Sequence, residues 1–67
     1  MEEGRSFEDA FLEEAMETRK KVKLNHTTGY QQDVTVIDYT IDTLLVLRHD
    51  GKRSLVYRHG LSTIVME

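Results

Sequence analysis

Tyr57, Arg58 and His59 stand consecutively in a chain of 67 residues, and no other stretch gathers as much recognition chemistry. A phenol ring stacks, a guanidinium donates a planar fork of hydrogen bonds, and an imidazole reads polar edges, so the triplet suits a flat, polar ligand. A second cluster, Tyr30-Gln31-Gln32, sets an aromatic face beside two amides directly after Gly29. The bland alternatives are a strand end whose tyrosine packs while its charges are solvated, and an exposed turn aromatic that needs no function. Asp38 and Asp42 resemble a carboxylate pair, but nothing beside them supplies a nucleophile or a metal. His26, His49 and His59 lie far apart without metal-ligand spacing, and the absence of cysteine excludes disulfides and thiolate zinc sites. Neither catalysis, a cofactor nor a bound metal is expected.

The elements that must carry these residues follow from the apolar period. Residues 1–5 are polar and expected to be frayed or disordered. Ser6 has the character of a helix N-cap, and Phe7, Phe11, Leu12, Ala15 and Met16 then recur at helical spacing up to Arg19. Beyond Lys21 the period falls to two. Val22 and Leu24 begin a first strand that ends at Thr28-Gly29, and Gln31–Tyr39 is a second, apolar on both faces and so expected to be bent and buried on two sides. Ile41–Arg48 reads as the third strand, Lys52–His59 as the fourth after the Asp50-Gly51 hairpin signal, and Leu61–Met66 as the fifth beyond Gly60. One helix followed by five short strands predicts a mostly β single domain over 1–67, a five-stranded bent-sheet barrel. An OB-fold would need a helix between its third and fourth strands, where Asp50-Gly51 leaves no room.

A chain this short buries only about 60% of the surface its unfolded form exposes, so a lone copy is marginal. With disulfides and metal excluded, assembly is the remaining remedy. The last strand carries no lysine, proline or internal charge to discourage edge pairing, and a repeated head-to-tail contact that closes makes a ring. No apolar run approaches membrane-spanning length and the first residues are acidic, so a soluble, cytoplasmic protein without membrane contact is expected. The formal charge of −3 argues against gripping nucleic acid through a broad basic surface.

The segment from Tyr57 to Thr63, Tyr-Arg-His-Gly-Leu-Ser-Thr, resembles the Tyr-Lys-His-Ala-Ile-Ser-Thr signature of the bacterial Sm-like RNA chaperone family Hfq. Ser6, Asp9, Phe11 and Leu12 are similar to the family's helix start, and Gly29 falls at its first turn. The resemblance implies an Sm-like fold, a homo-hexameric ring and two RNA-binding faces. On the helix-side (proximal) face it implies a U-rich pocket involving Glu8, Asp9, Asp42, Leu44, Tyr57, Arg58 and His59. On the opposite (distal) face it implies an A-rich or purine-rich site involving Asn25, Gly29, Tyr30, Gln31, Gln32, Ser62 and Thr63. Departures weaken the first. Glu8 replaces an amide with an acceptor-only carboxylate that repels phosphate. The family's pocket aromatic falls on Leu44 or Thr43, neither of which stacks. Glu13, Glu14, Met16 and Glu17 stand where many relatives carry a basic rim.

Two functions follow as expectations. One is a ring-forming RNA-binding post-transcriptional regulator whose partners are small regulatory RNA and mRNA. The other is an Sm-fold oligomeric protein-interaction scaffold with weak or no RNA binding, which the net charge favours. The pocket signature favours the first.

Overall fold

The computed structural model describes residues 6–67, so the expectation for residues 1–5 lies outside the described residues. Helix α1 spans Phe7–Thr18 and is followed by β1 (Lys21–His26), β2 (Gln31–Tyr39), β3 (Thr43–Arg48), β4 (Arg53–Tyr57), a 3-10 turn (Arg58–Gly60) and β5 (Leu61–Met66). Ser6 caps the helix as its sequence implies, its Oγ accepting from the Asp9 N–H at 3.0 Å. Arg19 ends the helix in the left-handed region at φ +58°, its N–H donating to the Ala15 carbonyl.

All five strands are antiparallel, in the order β4-β3-β2-β1-β5. Alternate residues point inward: Val22 and Leu24, Val34 and Val36, Leu44 and Val46, and Val56 close on Leu12 and Ala15 of α1. The helix stripe is narrower than its spacing suggests, because Phe7 is 97% exposed, Phe11 is half-buried and core packing starts at Leu12. The helix is pinned further along, where the Tyr39 hydroxyl donates to Glu13 Oε2 at 3.1 Å.

Strand β2 is not buried on both faces. The register slips between Val36 and Asp38, so Ile37 bulges into solvent and Tyr39 returns to the core face opposite Leu44. One extra residue in a strand inverts every side chain beyond it. The third strand begins two residues later than its apolar run suggests. Thr40 Oγ1 accepts from the N–H groups of Asp42 and Thr43 and turns the chain, leaving Ile41 exposed in the loop. The Asp50-Gly51 signal produces a hairpin, with a three-residue loop closed by Arg48 N–H to the Lys52 carbonyl and Gly51 at φ +85°. The fourth strand stops at Tyr57, so Arg58 and His59 occupy a 3-10 turn and not a strand. Among the described residues no helix is long and apolar enough to cross a membrane.

Candidate functional site

Arg58 is held from both ends. Its backbone N–H donates to the Asp42 carbonyl at 2.8 Å, which ties the 3-10 turn to the β2–β3 loop. Its guanidinium then reaches the helix start: Nη1 donates to the Thr40 carbonyl, and Nη2 meets Glu8 Oε1 at 2.5 Å and Asp9 Oδ1 at 3.4 Å. The side chain is only 10% exposed. Glu8, Asp9, Asp42 and Arg58 are thus brought together. Tyr57 and His59 stand beside them, both exposed, with ring centroids 6.1 Å apart. Leu44 does not belong to this group. It is fully buried in the core and presents nothing to a ligand, while Thr43 is half-buried and hydrogen-bonded to Thr40. A groove of about 350 Å³ opens next to Arg58, lined by Phe7, Glu8, Phe11 and β5 from Leu61 to Ile64.

The second cluster is built on the β1–β2 turn, where Gly29 adopts φ +95°. That conformation favours glycine because a Cβ is strained there. Tyr30 follows it with 61% of its surface exposed, tilted against His26 at 5.3 Å between centroids. Tyr30, Gln31 and Gln32 line a groove of about 380 Å³ with Arg48 and His49. The two glutamines differ. Gln31 is exposed, whereas Gln32 pairs opposite Leu24 on the inward face and its Nε2 lies 3.0 Å from His26 Nε2. Gln32 and His26 also share a second groove with Tyr57 and His59, so the two clusters adjoin at the open mouth of the barrel.

Asn25, Ser62 and Thr63, expected with Tyr30, are not in its groove: Ser62 and Thr63 line the groove beside Arg58, and Asn25 is tied to them across β1 and β5. Asn25 Nδ2 donates to Thr63 Oγ1 at 3.0 Å, and Ser62 Oγ donates to the Asn25 carbonyl at 3.2 Å. The inward-facing His26 was not singled out by its sequence context. Its signal is positional, two residues beyond Leu24 on the face that packs.

The same chain order and sheet are found in a crystal structure of "the pleiotropic translational regulator, Hfq". It superposes with a TM-score of 0.85 at 23% identity, over 90% of this chain and 98% of that one, which establishes the Sm-like fold. No family model matches the chain. Two relatives are each named RNA-binding protein Hfq. The one from Clostridium acetobutylicum is 32% identical over 88% of this chain and 72% of its own length. The one from Clostridium botulinum is 31% identical over 92% of this chain and 79% of its own length, and a likeness of that extent means that the chain belongs to the Hfq family.

Proposed function

We propose that the chain is a ring-forming, non-catalytic RNA-binding regulator of the cytoplasm, taking short single-stranded segments of small regulatory RNA and mRNA. Its principal RNA surface is the Tyr30 groove, which takes purine-rich sequence in preference to U-rich. The observation that carries this reading is the difference between the two clusters: Tyr30 and Gln31 are exposed, while the guanidinium of Arg58 is already engaged within its own subunit. Stacking on an exposed aromatic face gives sequence-tolerant affinity and needs no basic surface, which suits a chain of charge −3.

Ring assembly is supported by the two free sheet edges, β4 and β5. Antiparallel hydrogen-bonded pairs recur at every second residue. Arg48 bonds Lys52 and Asp42 bonds Arg58, so the intervening even-numbered residues of β4 face β3, and Arg53, Leu55 and Tyr57 turn their N–H and C=O groups outward. Glu67 bonds Lys21, so Ile64 and Met66 turn theirs outward on β5. Apolar side chains flank both edges: Leu55 and Tyr57 on β4, and Val65 on β5. One copy's β4 joined to the next copy's β5 satisfies both rows and covers these groups, and the family resemblance sets the number at six.

Native mass spectrometry at micromolar concentration, followed by titration with short oligoadenylate and oligouridylate, tests the reading. A closed hexamer that binds RNA is expected. A monomer removes the ring, and a hexamer indifferent to both oligonucleotides leaves the protein-interaction scaffold as the function.

A further inference from the structure

We propose that Glu8 is a specificity-determining residue that acts as an internal ligand for Arg58, closing the helix-side groove to RNA while the Tyr30 groove stays open. The proposal rests on the RNA-binding reading above and concerns which groove is used.

The geometry distinguishes an internal ligand from a mere nearby charge. A guanidinium offers its N–H donors in a fixed plane, so each donor that is occupied removes one direction of approach. Nη1 is committed to the Thr40 carbonyl, and Nη2 is shared by Glu8 and Asp9. Two carboxylates against one guanidinium leave the cluster formally negative, and an arriving phosphate or base carbonyl finds Nη2 occupied and only Nε–H and one N–H of Nη1 left. The helix start that carries them is fixed. The Asp9 N–H is fixed by the Ser6 hydroxyl, and acidic residues in the first turn are favoured by the helix dipole.

The two partners of the pair are unequally free. Arg58 is 10% exposed and is anchored through its own backbone to Asp42, whereas the side chain of Glu8 is 60% exposed. Glu8 is therefore the group that swings into water when the contact opens, and Arg58 stays where it is. Loss of the Glu8 contact leaves Nη2 with only the 3.4 Å contact to Asp9, in a side chain that already lines the groove of Phe7, Phe11 and β5, where Ser62 and Thr63 add polar groups to an apolar wall. The ligand this suits is a single-stranded segment that stacks a base in the groove and offers a phosphate or carbonyl oxygen to Nη2.

The test is a double-mutant cycle on the full chain, with oligouridylate titrated at fixed salt into wild type, Glu8→Gln, Arg58→Ala and the double variant. Glu8→Gln is expected to tighten binding about ten-fold, the order of one charge-assisted hydrogen bond regained. In the Arg58→Ala background the same substitution is expected to change nothing. An equal gain in both backgrounds overturns the proposal, because Glu8 then acts only as a repulsive charge, and no gain in either overturns it as well. An RNA-independent readout is rotation of the Arg58 guanidinium, followed by 15N NMR. Slow rotation in wild type and faster rotation in Glu8→Gln are expected, and identical rotation overturns the internal contact. If no variant binds oligouridylate and wild type also ignores oligoadenylate, the RNA reading fails, and the NMR comparison alone decides the Glu8–Arg58 contact.

Discussion

Two clusters at the surface carry aromatic, amide and cationic groups suited to a flat polar ligand, and they differ in how much of that chemistry folding has already used. Around Arg58 the guanidinium is wrapped by Glu8, Asp9 and the Thr40 carbonyl. Around Tyr30 the ring is 61% exposed and Gln31 faces solvent, while Gln32 alone is drawn inward to His26. The triplet Tyr57-Arg58-His59 is the richer in recognition chemistry as a sequence, yet the fold leaves the plainer Tyr30-Gln31 pair with more to offer. A residue's type states what it can donate. Its neighbours in space decide whether the donor is still available.

The largest effect expected is loss of both grooves together, through the ring on which the assembly account depends. Ile64→Pro removes an N–H that faces the open edge of β5 and also a side chain that packs partly on the core, so the assembly is expected to dissociate to a weakened subunit that keeps its β1–β5 hydrogen bonds. Val65→Pro removes an N–H that faces Lys23 within the subunit, and leaving that carbonyl unsatisfied costs about 1–3 kcal/mol of subunit stability. Native mass spectrometry with thermal denaturation separates the two. Equal behaviour of both variants would mean that β5 does not form the seam as described.

A smaller and more selective effect is expected at Tyr30. Tyr30→Ala removes a stacking face and is expected to cost purine-rich RNA about 1–3 kcal/mol per stacked base. U-rich binding is expected to stay nearly constant, since Tyr30 lines neither the groove beside Arg58 nor the one bordered by Tyr57 and His59. Fluorescence anisotropy on both oligonucleotides measures this. Equal losses would show that Tyr30, through its contact with His26, supports the mouth of the barrel on which both clusters border.

Much of the fold was legible in the sequence because local chemistry and global packing agree there. The Ser6 cap, the bounds of β2 and β5, and the turns at Gly29 and Gly51 all express preferences of a few neighbouring residues. The failures share a different cause. The bulge at Ile37 is one extra residue in an unbroken apolar pattern, and only pairing with β3 reveals it. The 3-10 turn at Arg58 continues an alternation that began at Leu55, so nothing local marks where β4 stops. The sequence offers the candidate site only as a set of residue types, and the fold decides which of them stand together. Leu44 is taken into the core because it alternates with Val46 on the inward face of β3. The Glu8–Arg58 contact joins the helix start to the turn before β5, and no periodicity carries across that distance.

The central claim is that the Tyr30 groove, and not the Arg58 cluster, is the principal RNA surface. The most direct measurement is the affinity of the wild-type protein for oligoadenylate and oligouridylate of equal length at one salt concentration. The account predicts tighter binding of oligoadenylate. Tighter binding of oligouridylate would contradict it, because the engaged guanidinium of Arg58 would then be available to RNA after all.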